Sequence, residues 1–200
     1  MRKILIVLIL LPSLILSACS SLNEASMNDL PVTKLTGSFS IDVNDLTQIV
    51  GDADYVFVAE VMEEVETLYK YPVTIETENG LKEVSDPYTK YSIKVVDNIK
   101  GKLKGDKQFD ILKAGGISQD QESIVLYEED ELLQAGKYYI ISAYAQPDGS
   151  LLVSGPNSSS VLNETSKSKI FSSKEYKEYK EAFKNEFKSD RKRFKSKHEI

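Results

Sequence analysis

The chain has one cysteine and one histidine among its 200 residues, and this shortage excludes several kinds of chemistry. A disulfide within one chain needs two cysteines, so the fold must depend on its hydrophobic core. A His-based catalytic triad and a Cys/His metal site need more of these side chains than the sequence contains. The single histidine, His198, is the third residue from the C-terminal end, where we expect a solvated side chain. The sequence also lacks the glycine loops that bind nucleotide phosphates.

The first residues have the pattern of a secretory signal. Met1-Arg2-Lys3 is a short positive segment, and the 13 residues from Ile4 to Leu16 are almost entirely apolar. A helix needs about 20 apolar residues to cross a bilayer comfortably. This stretch is therefore too short for a permanent span, and Pro12 weakens it further.

Small residues close this segment in the tetrad Leu16-Ser17-Ala18-Cys19. The tetrad resembles the lipobox of bacterial lipoprotein precursors. The resemblance implies a signal peptide over residues 1–18, a diacylglyceryl group on the thiol of Cys19, and attachment to the extracytoplasmic face of the cell membrane. Two acyl chains give stable anchoring where one is marginal. The alternative is an ordinary secreted protein in which Cys19 is incidental.

Charge is distributed unevenly along the chain. The net charge is −6, and the loss of Arg2 and Lys3 makes the mature chain about −8. Residues 171–200 contain ten Lys or Arg against six Asp or Glu, so this tail is +4 and the rest of the mature chain is about −12. An acidic body in this compartment argues against nucleic acid as a partner.

Alternating apolar residues and turn signals predict a mainly β domain over residues 39–156. Residues 19–38 are polar and are expected to form a lipidated flexible tether. A short helix is predicted at 42–51, capped by Asn44 or Asp42. Residues 67–88 are predicted to form a protruding hairpin, because Asn79-Gly80 favours a tight turn. The predicted core strands lie at 55–65, 88–99, 109–112, 123–127, 138–145 and 151–153.

Four of these segments also suggest a fold. In order, they are ADYVFVAEV (53–61), YSIKVVDNIKG (91–101), KAGG (113–116) and AGKYYIISAY (135–144). They resemble the small barrels of netrin-module and metalloproteinase-inhibitor type, and surface lipoproteins of Gram-positive bacteria with this layout. The resemblance implies a small antiparallel OB-like barrel of about five strands. The inhibitory animal proteins use an N-terminal cysteine and several disulfides, which the barrel segments here lack, so inhibition does not carry over.

After a Ser/Asn/Thr-rich linker at 157–172, the spacing of apolar residues becomes helical. A basic amphipathic helix is predicted over 173–198, with its aromatic side chains on one side. Those side chains are the first set of candidate binding residues: Tyr176, Tyr179, Phe183 and Phe187. Two roles are open for the helix. Its aromatic side packs on the barrel, or the helix binds anionic lipid or a partner.

Two charged turns are further candidates. Lys100, Lys102 and Lys104 form a basic turn that would suit an anionic wall polymer, although ordinary solvation explains it more simply. The acidic run at 128–131 would offer oxygen ligands to a hard cation. It lacks the spacing of a Ca²⁺ loop, so we expect a solvated turn, and no cofactor is predicted.

The leading functional hypothesis is a membrane-anchored, non-enzymatic binding module on the extracytoplasmic face. Its ligand would be a surface protein, a peptide or a wall glycopolymer. One alternative is a surface hydrolase that uses carboxylates or Ser/Thr, and paired acids in one pocket would be its sign. Another, by fold analogy alone, is an inhibitor of extracellular proteases.

Overall fold

A computed structural model of the chain describes residues 30–78, 80–105, 107–164 and 166–200. The predicted signal peptide, Cys19 and the first part of the predicted tether lie outside the described residues. Within the described ranges, no helix combines the length and the apolar character that a membrane crossing requires.

Strands dominate the described chain. They are β1 (Val32–Leu35), β2 (Tyr55–Thr77), β3 (Gly80–Lys100), β4 (Gln108–Ala114), β5 (Gly116–Ile117), β6 (Ile124–Tyr127), β7 (Tyr138–Ala145), β8 (Leu151–Val153) and β9 (Ser159–Leu162). The helices are α1 (Leu46–Asp52), α2 (Lys167–Ser172) and α3 (Lys174–Lys184).

Five of the strands pair in a ring. Strand β2 pairs with β3, β3 with β4, β4 with β8, β8 with β7, and β7 with β2 again. Every pair is antiparallel except β4–β8, which is parallel. Strand β9 extends the sheet beyond β7, and β1, β6 and β5 form a separate small sheet. The predicted fold class, mainly β with antiparallel pairing and a C-terminal helix, is confirmed.

The first part of strand β2, residues 55–59, is buried on both faces. Tyr55, Phe57 and Ala59 point into the ring, where they pack against side chains of β3 and β7. Val56 and Val58 point the other way, into a second apolar cluster with α1, α2 and α3. This two-sided burial explains why the sequence of this part of β2 is an almost continuous apolar run rather than a simple alternation.

The helices cover the outer face of β2, so the packing role expected for the C-terminal aromatic residues is the one observed. Ile170 of α2 and Tyr179 of α3 are buried in the second cluster with Val50 of α1. Helix α1 begins after Asp45, whose carboxylate accepts a hydrogen bond from the N–H of Thr47. The predicted caps, Asn44 and Asp42, lie just before this position.

The prediction of one helix over 173–198 is wrong at its C-terminal end. Helix α3 stops at Lys184, and residues 185–200 return in an irregular, extended path across one end of the ring. The N–H of Phe187 donates to the carbonyl of Thr47 at 3.1 Å, a tertiary bond that replaces the next helical bond. Gly51 permits this approach, because a Cβ there would clash with the backbone of Phe187.

Two other predicted segments need correction. The linker at 157–172 contains strand β9, which pairs with β7, and helix α2. The end of the predicted tether at 19–38 forms strand β1, which pairs in parallel with β6. Both strands are polar or exposed, so their own sequences give little strand signal, and the pairing partner determines their conformation.

The predicted hairpin at 67–88 is present as the outer parts of β2 and β3, which continue without a break from the ring. We call these residues the arm. Thr77 pairs with Gly80 at its tip. Strand β7 pairs with β2 only at 55–60, and β4 pairs with β3 only at 89–94, so the arm extends beyond the ring.

Ile170→Ala tests whether α2 holds the fold together. Ile170 is fully buried, whereas its neighbour Phe171 is 39% exposed. We expect Ile170→Ala to lower the free energy of unfolding by about 2–5 kcal/mol, because it leaves a cavity under the helix. Phe171→Ala is the matched control: its ring is partly exposed and contacts the ring of Tyr176, so we expect a smaller loss than for Ile170→Ala. Equal losses in urea denaturation would contradict this packing.

Candidate functional site

The aromatic residues predicted as a binding stripe are used inside the molecule. The hydroxyls of Tyr179 and Ser160 are hydrogen bonded at 2.9 Å, and the hydroxyl of Tyr176 donates to Asp97 at 2.8 Å. Burial, followed by the hydrogen bond to Asp97, raises the pKa of Tyr176 to about 12. Phe183 packs against the second apolar cluster. Phe187 is half exposed, but it lies beyond the helix.

Lys100 also has a structural role. Its ammonium donates to the carbonyls of Val50 and Gly51, at 2.7 and 3.1 Å, and lies 2.6 Å from the carboxylate of Glu186. Burial lowers the pKa of Lys100, and Glu186 opposes that shift. The lysine therefore caps the C-terminal end of α1 and is not available to a polymer. Lys102 and Lys104, from the same predicted turn, are exposed.

The acidic run at 128–131 is not a solvated turn throughout. Asp130 is 3% exposed and its Oδ1 lies 2.7 Å from the ammonium of Lys113, which is fully buried. Burial lowers the pKa of Lys113, and the charge of Asp130 opposes that shift. The ammonium of Lys113 thus takes the place that a cation would occupy. In the described ranges, no group of three His, Cys, Asp or Glu is arranged to hold a metal ion.

An open cavity of about 820 Å³ lies beside this pair, between β1, β6 and the 130–135 loop. Three carboxylates line it, those of Glu64, Asp130 and Glu131. Burial raises the pKa of Glu64. Asp130 is held by Lys113, however, and Glu131 is exposed. Acid–base hydrolysis by carboxyl groups needs two of them close together, with the pKa of one raised and that of the other kept low. Here Glu64 is the one half-buried acid among the three carboxylates that line the cavity.

A second groove, of about 430 Å³, runs along the arm. One wall is the stretch of β3 from Lys82 to Pro87. The other wall contains Thr33, Leu35 and Val125 of the small sheet and the polar residues 118–120. The ammonium of Lys82 lies 3.5 Å from the carboxylate of Asp120, at one edge of the groove. Six consecutive residues of one strand line this groove, so the edge of the strand, as well as its side chains, borders the space.

The two edges of the arm differ in their readiness to pair. On β2, the register with β3 shifts between Lys70 and Val73, Tyr71 has a φ of 55°, and Pro72 has no N–H to donate. Bulges and prolines of this kind protect an edge strand. On β3, Gly80 to Val84 pair with β2 without a shift. In the described part of the chain, the other side of β3 first has a partner at Pro87, whose carbonyl accepts from the N–H of Gly115 at 2.9 Å, and then at Tyr88 and Thr89.

Large apolar side chains are exposed along the arm. Leu81 is 79% exposed and Tyr71 is 63% exposed, and Val73 and Ile75 are also largely accessible. The turn residues in the sequence predicted the hairpin, but the groove was not predicted. The second wall of the groove depends on the parallel pairing of β1 with β6, about 90 residues apart, for which the sequence carries no local signal.

Comparison of the chain with protein-family models finds no match, and comparison with curated proteins finds none either. Function has to be inferred from the contacts and charges of this chain.

The buried Lys113–Asp130 pair gives a direct test of what holds the cavity in place. We expect Lys113→Met to lower the free energy of unfolding by about 3–5 kcal/mol, because it leaves an unpaired buried carboxylate. Oδ2 of Asp130 already lacks a hydrogen-bond partner among the described residues. The double variant Lys113→Met with Asp130→Leu should recover most of the loss, since neither charge is then buried.

The exposed pair Lys184–Glu181 supplies the control for urea denaturation of these variants. Lys184→Met should change stability by less than about 1 kcal/mol. A loss for Lys113→Met no larger than that of Lys184→Met, or no recovery in the double variant, would show that the pair does not support the fold.

Proposed function

We propose that the protein is a membrane-anchored, extracytoplasmic binding module without catalytic activity, and that its arm takes up an extended segment of a partner protein. One observation carries this proposal. Residues 80–86 of β3 form a strand edge that has no pairing partner in the described chain, and the edge borders a groove large enough for a peptide.

The backbone of β3 supplies the hydrogen-bonding groups. Thr77 pairs with Gly80 across the two-residue turn, and antiparallel hydrogen bonds alternate from such a pair. The N–H groups of Leu81, Glu83 and Ser85 therefore point away from β2 and toward the side where a further strand would lie. Strand addition to a free sheet edge is a common way to bind an extended peptide, with affinity from the main chain and specificity from alternate side chains.

The side chains of the arm favour the same conclusion. Val84 and Pro87 from β3, with Leu35 and Val125 from the small sheet, give the groove an apolar lining. Leu81 at the tip is almost fully exposed. Covering apolar surface of this kind contributes about 25 cal/mol per Å² to binding. A cluster of exposed apolar residues on a projecting element is typical of an interaction site.

The anchor in this proposal is the lipid on Cys19, supported by the signal-like residues 1–16 and the Leu16-Ser17-Ala18-Cys19 tetrad. The described chain begins at Leu30 and enters β1 at Val32. Residues 19–29 would therefore connect the lipid to the small sheet, which forms one wall of the groove.

Cys19→Ala tests the anchor. We expect the variant to lose metabolic labelling by a radioactive fatty acid and to leave the membrane fraction, because no thiol remains to carry the acyl groups. The protein should accumulate as uncleaved precursor or appear in the soluble fraction. Cys19→Ser is a second variant with the same expected result. Unchanged lipid labelling in either variant would exclude this anchor.

Site-specific photocrosslinking on intact cells tests the arm. A photoreactive amino acid at Ser85 should crosslink to a protein, because Ser85 lines the groove. Glu83→Pro in the same chain should abolish that crosslink, since proline removes an outward N–H. Glu83→Gln keeps the N–H and should leave the crosslink unchanged.

The photoreactive residue at Lys177, which is exposed on α3, is the positional control and should give no such product. Thermal unfolding of the Glu83 variants should show that the ring is intact. Crosslinks that are equal from both positions, or that survive Glu83→Pro, would contradict strand addition at this edge.

A further inference from the structure

We propose that a second surface, at the opposite end of the ring from the arm, binds a linear phosphodiester polymer. Two extended segments form this surface, which we call the basic ribbon. Its exposed residues are Lys102 and Lys104 on the first segment and Lys195 and Lys197 on the second. These two pairs lie more than 90 positions apart in the sequence.

Backbone hydrogen bonds join the two segments. The N–H of Ile200 donates to the carbonyl of Lys102 at 2.9 Å, and the N–H of Lys104 donates to the carbonyl of His198 at 3.0 Å. Leu103 and Glu199 form an antiparallel bridge between these bonds. The C-terminal residues therefore run beside the 101–105 turn as a short second strand, where the sequence predicted the end of a helix.

Apolar and polar anchors alternate with the lysines of the ribbon. On the first segment, Leu103 is fully buried between two exposed lysines. On the second, Phe194 packs against the core of the ring, and the N–H of Ser196 donates to the hydroxyl of Tyr55 at 2.9 Å. Residues 192–196 are irregular, and the N–H of Glu199 donates to the carbonyl of Ser196 at 3.1 Å, so Lys197 and His198 lie in a turn. Phe194 and Ser196 are held inward, and Lys195 and Lys197 are exposed.

His198 continues this inward series, which corrects the expectation that it is a solvated side chain. Its ring stacks on Phe109 with a centroid distance of 4.1 Å. Burial is the main cause that lowers the pKa of His198, and the positive charges of Lys197 and Lys104 add to the effect. The N–H of Lys104 donates to the carbonyl of His198, and Lys197 is the residue before it, so a lysine from each segment lies beside this ring.

The basic residues of the tail divide into two groups. Arg191 and Arg193 bind Asp54, at 2.6 and 3.0 Å, and so hold the segment in place. The four lysines of the ribbon make no ion pair within 4.0 Å in the described part of the chain. Three carboxylates lie beside the four lysines: Asp110 acts on His198, Asp148 is acted on by Lys197, and Glu199 is hydrogen bonded to Tyr55. In this C-terminal segment, the two arginines hold the chain to Asp54, and the lysines Lys195 and Lys197 are exposed to solvent.

The shape of the surface selects the class of ligand. The four lysines are exposed on two adjacent segments, so the ribbon offers separate point charges rather than a pocket. Lysine binds phosphate as a compact charge without a fixed geometry. The remainder of the mature chain is strongly acidic, which confines a polyanion to the ribbon. A flexible chain with regularly repeated phosphates fits these features.

The position of the ribbon favours a polymer over an anionic membrane. Strand β3 runs from the arm at Gly80 to Lys100, and the ribbon begins two residues later. The described chain begins near the arm. The carbonyl of Pro31 accepts from the N–H of Ile124 in the small sheet, which packs at the base of the arm. With the lipid anchor proposed above, the tether joins the domain at the end where the arm lies, and the ribbon is at the end farther from the lipid; this choice of ligand rests on that anchor.

Binding of the mature chain carrying Cys19→Ser to long-chain polyphosphate and to poly(glycerol phosphate) tests the proposal. We expect binding that weakens as salt rises, with a slope of log K against log salt of about −3 for four lysine contacts. The ribbon variant changes Lys102, Lys104, Lys195 and Lys197 to Gln. It should bind at least about tenfold more weakly and lose most of that slope.

A control variant carries the same change of charge elsewhere: Lys167, Lys169, Lys174 and Lys184 to Gln, all exposed on α2 and α3. It should change affinity less than about twofold, because these lysines lie outside the ribbon. Equal losses of affinity in the two variants would show that binding depends only on net charge, and this would overturn the proposal. The absence of polymer binding would also overturn it.

Vesicles of phosphatidylcholine with 30% phosphatidylglycerol separate the polymer from the membrane. Ribbon-dependent binding to these vesicles without binding to either polymer would make the membrane the ligand and overturn the choice of polymer. The ribbon variant should keep the photocrosslink from Ser85, because the arm lies at the other end of the ring. Failure at the ribbon and failure at the arm are therefore distinguishable.

Discussion

The burial of residues 55–59 of β2 on both faces is the constraint on which the rest of the structure depends. Its inner residues, such as Phe57, belong to the core of the ring, and its outer residues, such as Val58, belong to the cluster under the helices. Without α2 and α3, the outer face would leave a row of β-branched side chains in water. The C-terminal region is therefore part of the domain rather than an appended helix, and the same strand continues outward as one half of the arm.

The end of α1 explains why the chain returns across the ring after α3. The last carbonyls of a helix need donors, and cations near that end are stabilising. Arg193 donates to the carbonyls of Gly51 and Ala53, at 2.6 and 2.8 Å, and Lys100 donates to the carbonyl of Val50. Asp54 adds a carboxylate for both arginines of the tail. Side chains from two distant parts of the chain thus complete one short helix and fix the C-terminal segment.

Local signals in the sequence predicted the ring strands well, and long-range pairing accounts for what they missed. Residues 138–145 and 151–153 were predicted with the bounds that the structure has, because apolar runs there flank the turn at Pro147-Asp148-Gly149. Strands β1 and β9 were missed, since their exposed residues take strand conformation only from their partners. Phe187 and Phe194 kept helical spacing, but contacts with α1 and with the ring core redirect the chain. Lys100, one residue of the predicted basic turn, instead donates hydrogen bonds to the carbonyls at the end of α1.

The strand pair that carries the arm also sets the distance between the two proposed sites. Strand β3 contains 21 residues from Gly80 to Lys100. At roughly 3.3 Å per residue, its length along the chain is about 70 Å. Charges at the ribbon are screened beyond about 8 Å at physiological salt. A polymer on the lysines and a peptide on the free edge of β3, as proposed, would therefore not compete, because the strand pair separates the two surfaces. On this geometry, occupancy of both sites together requires no rearrangement of the ring.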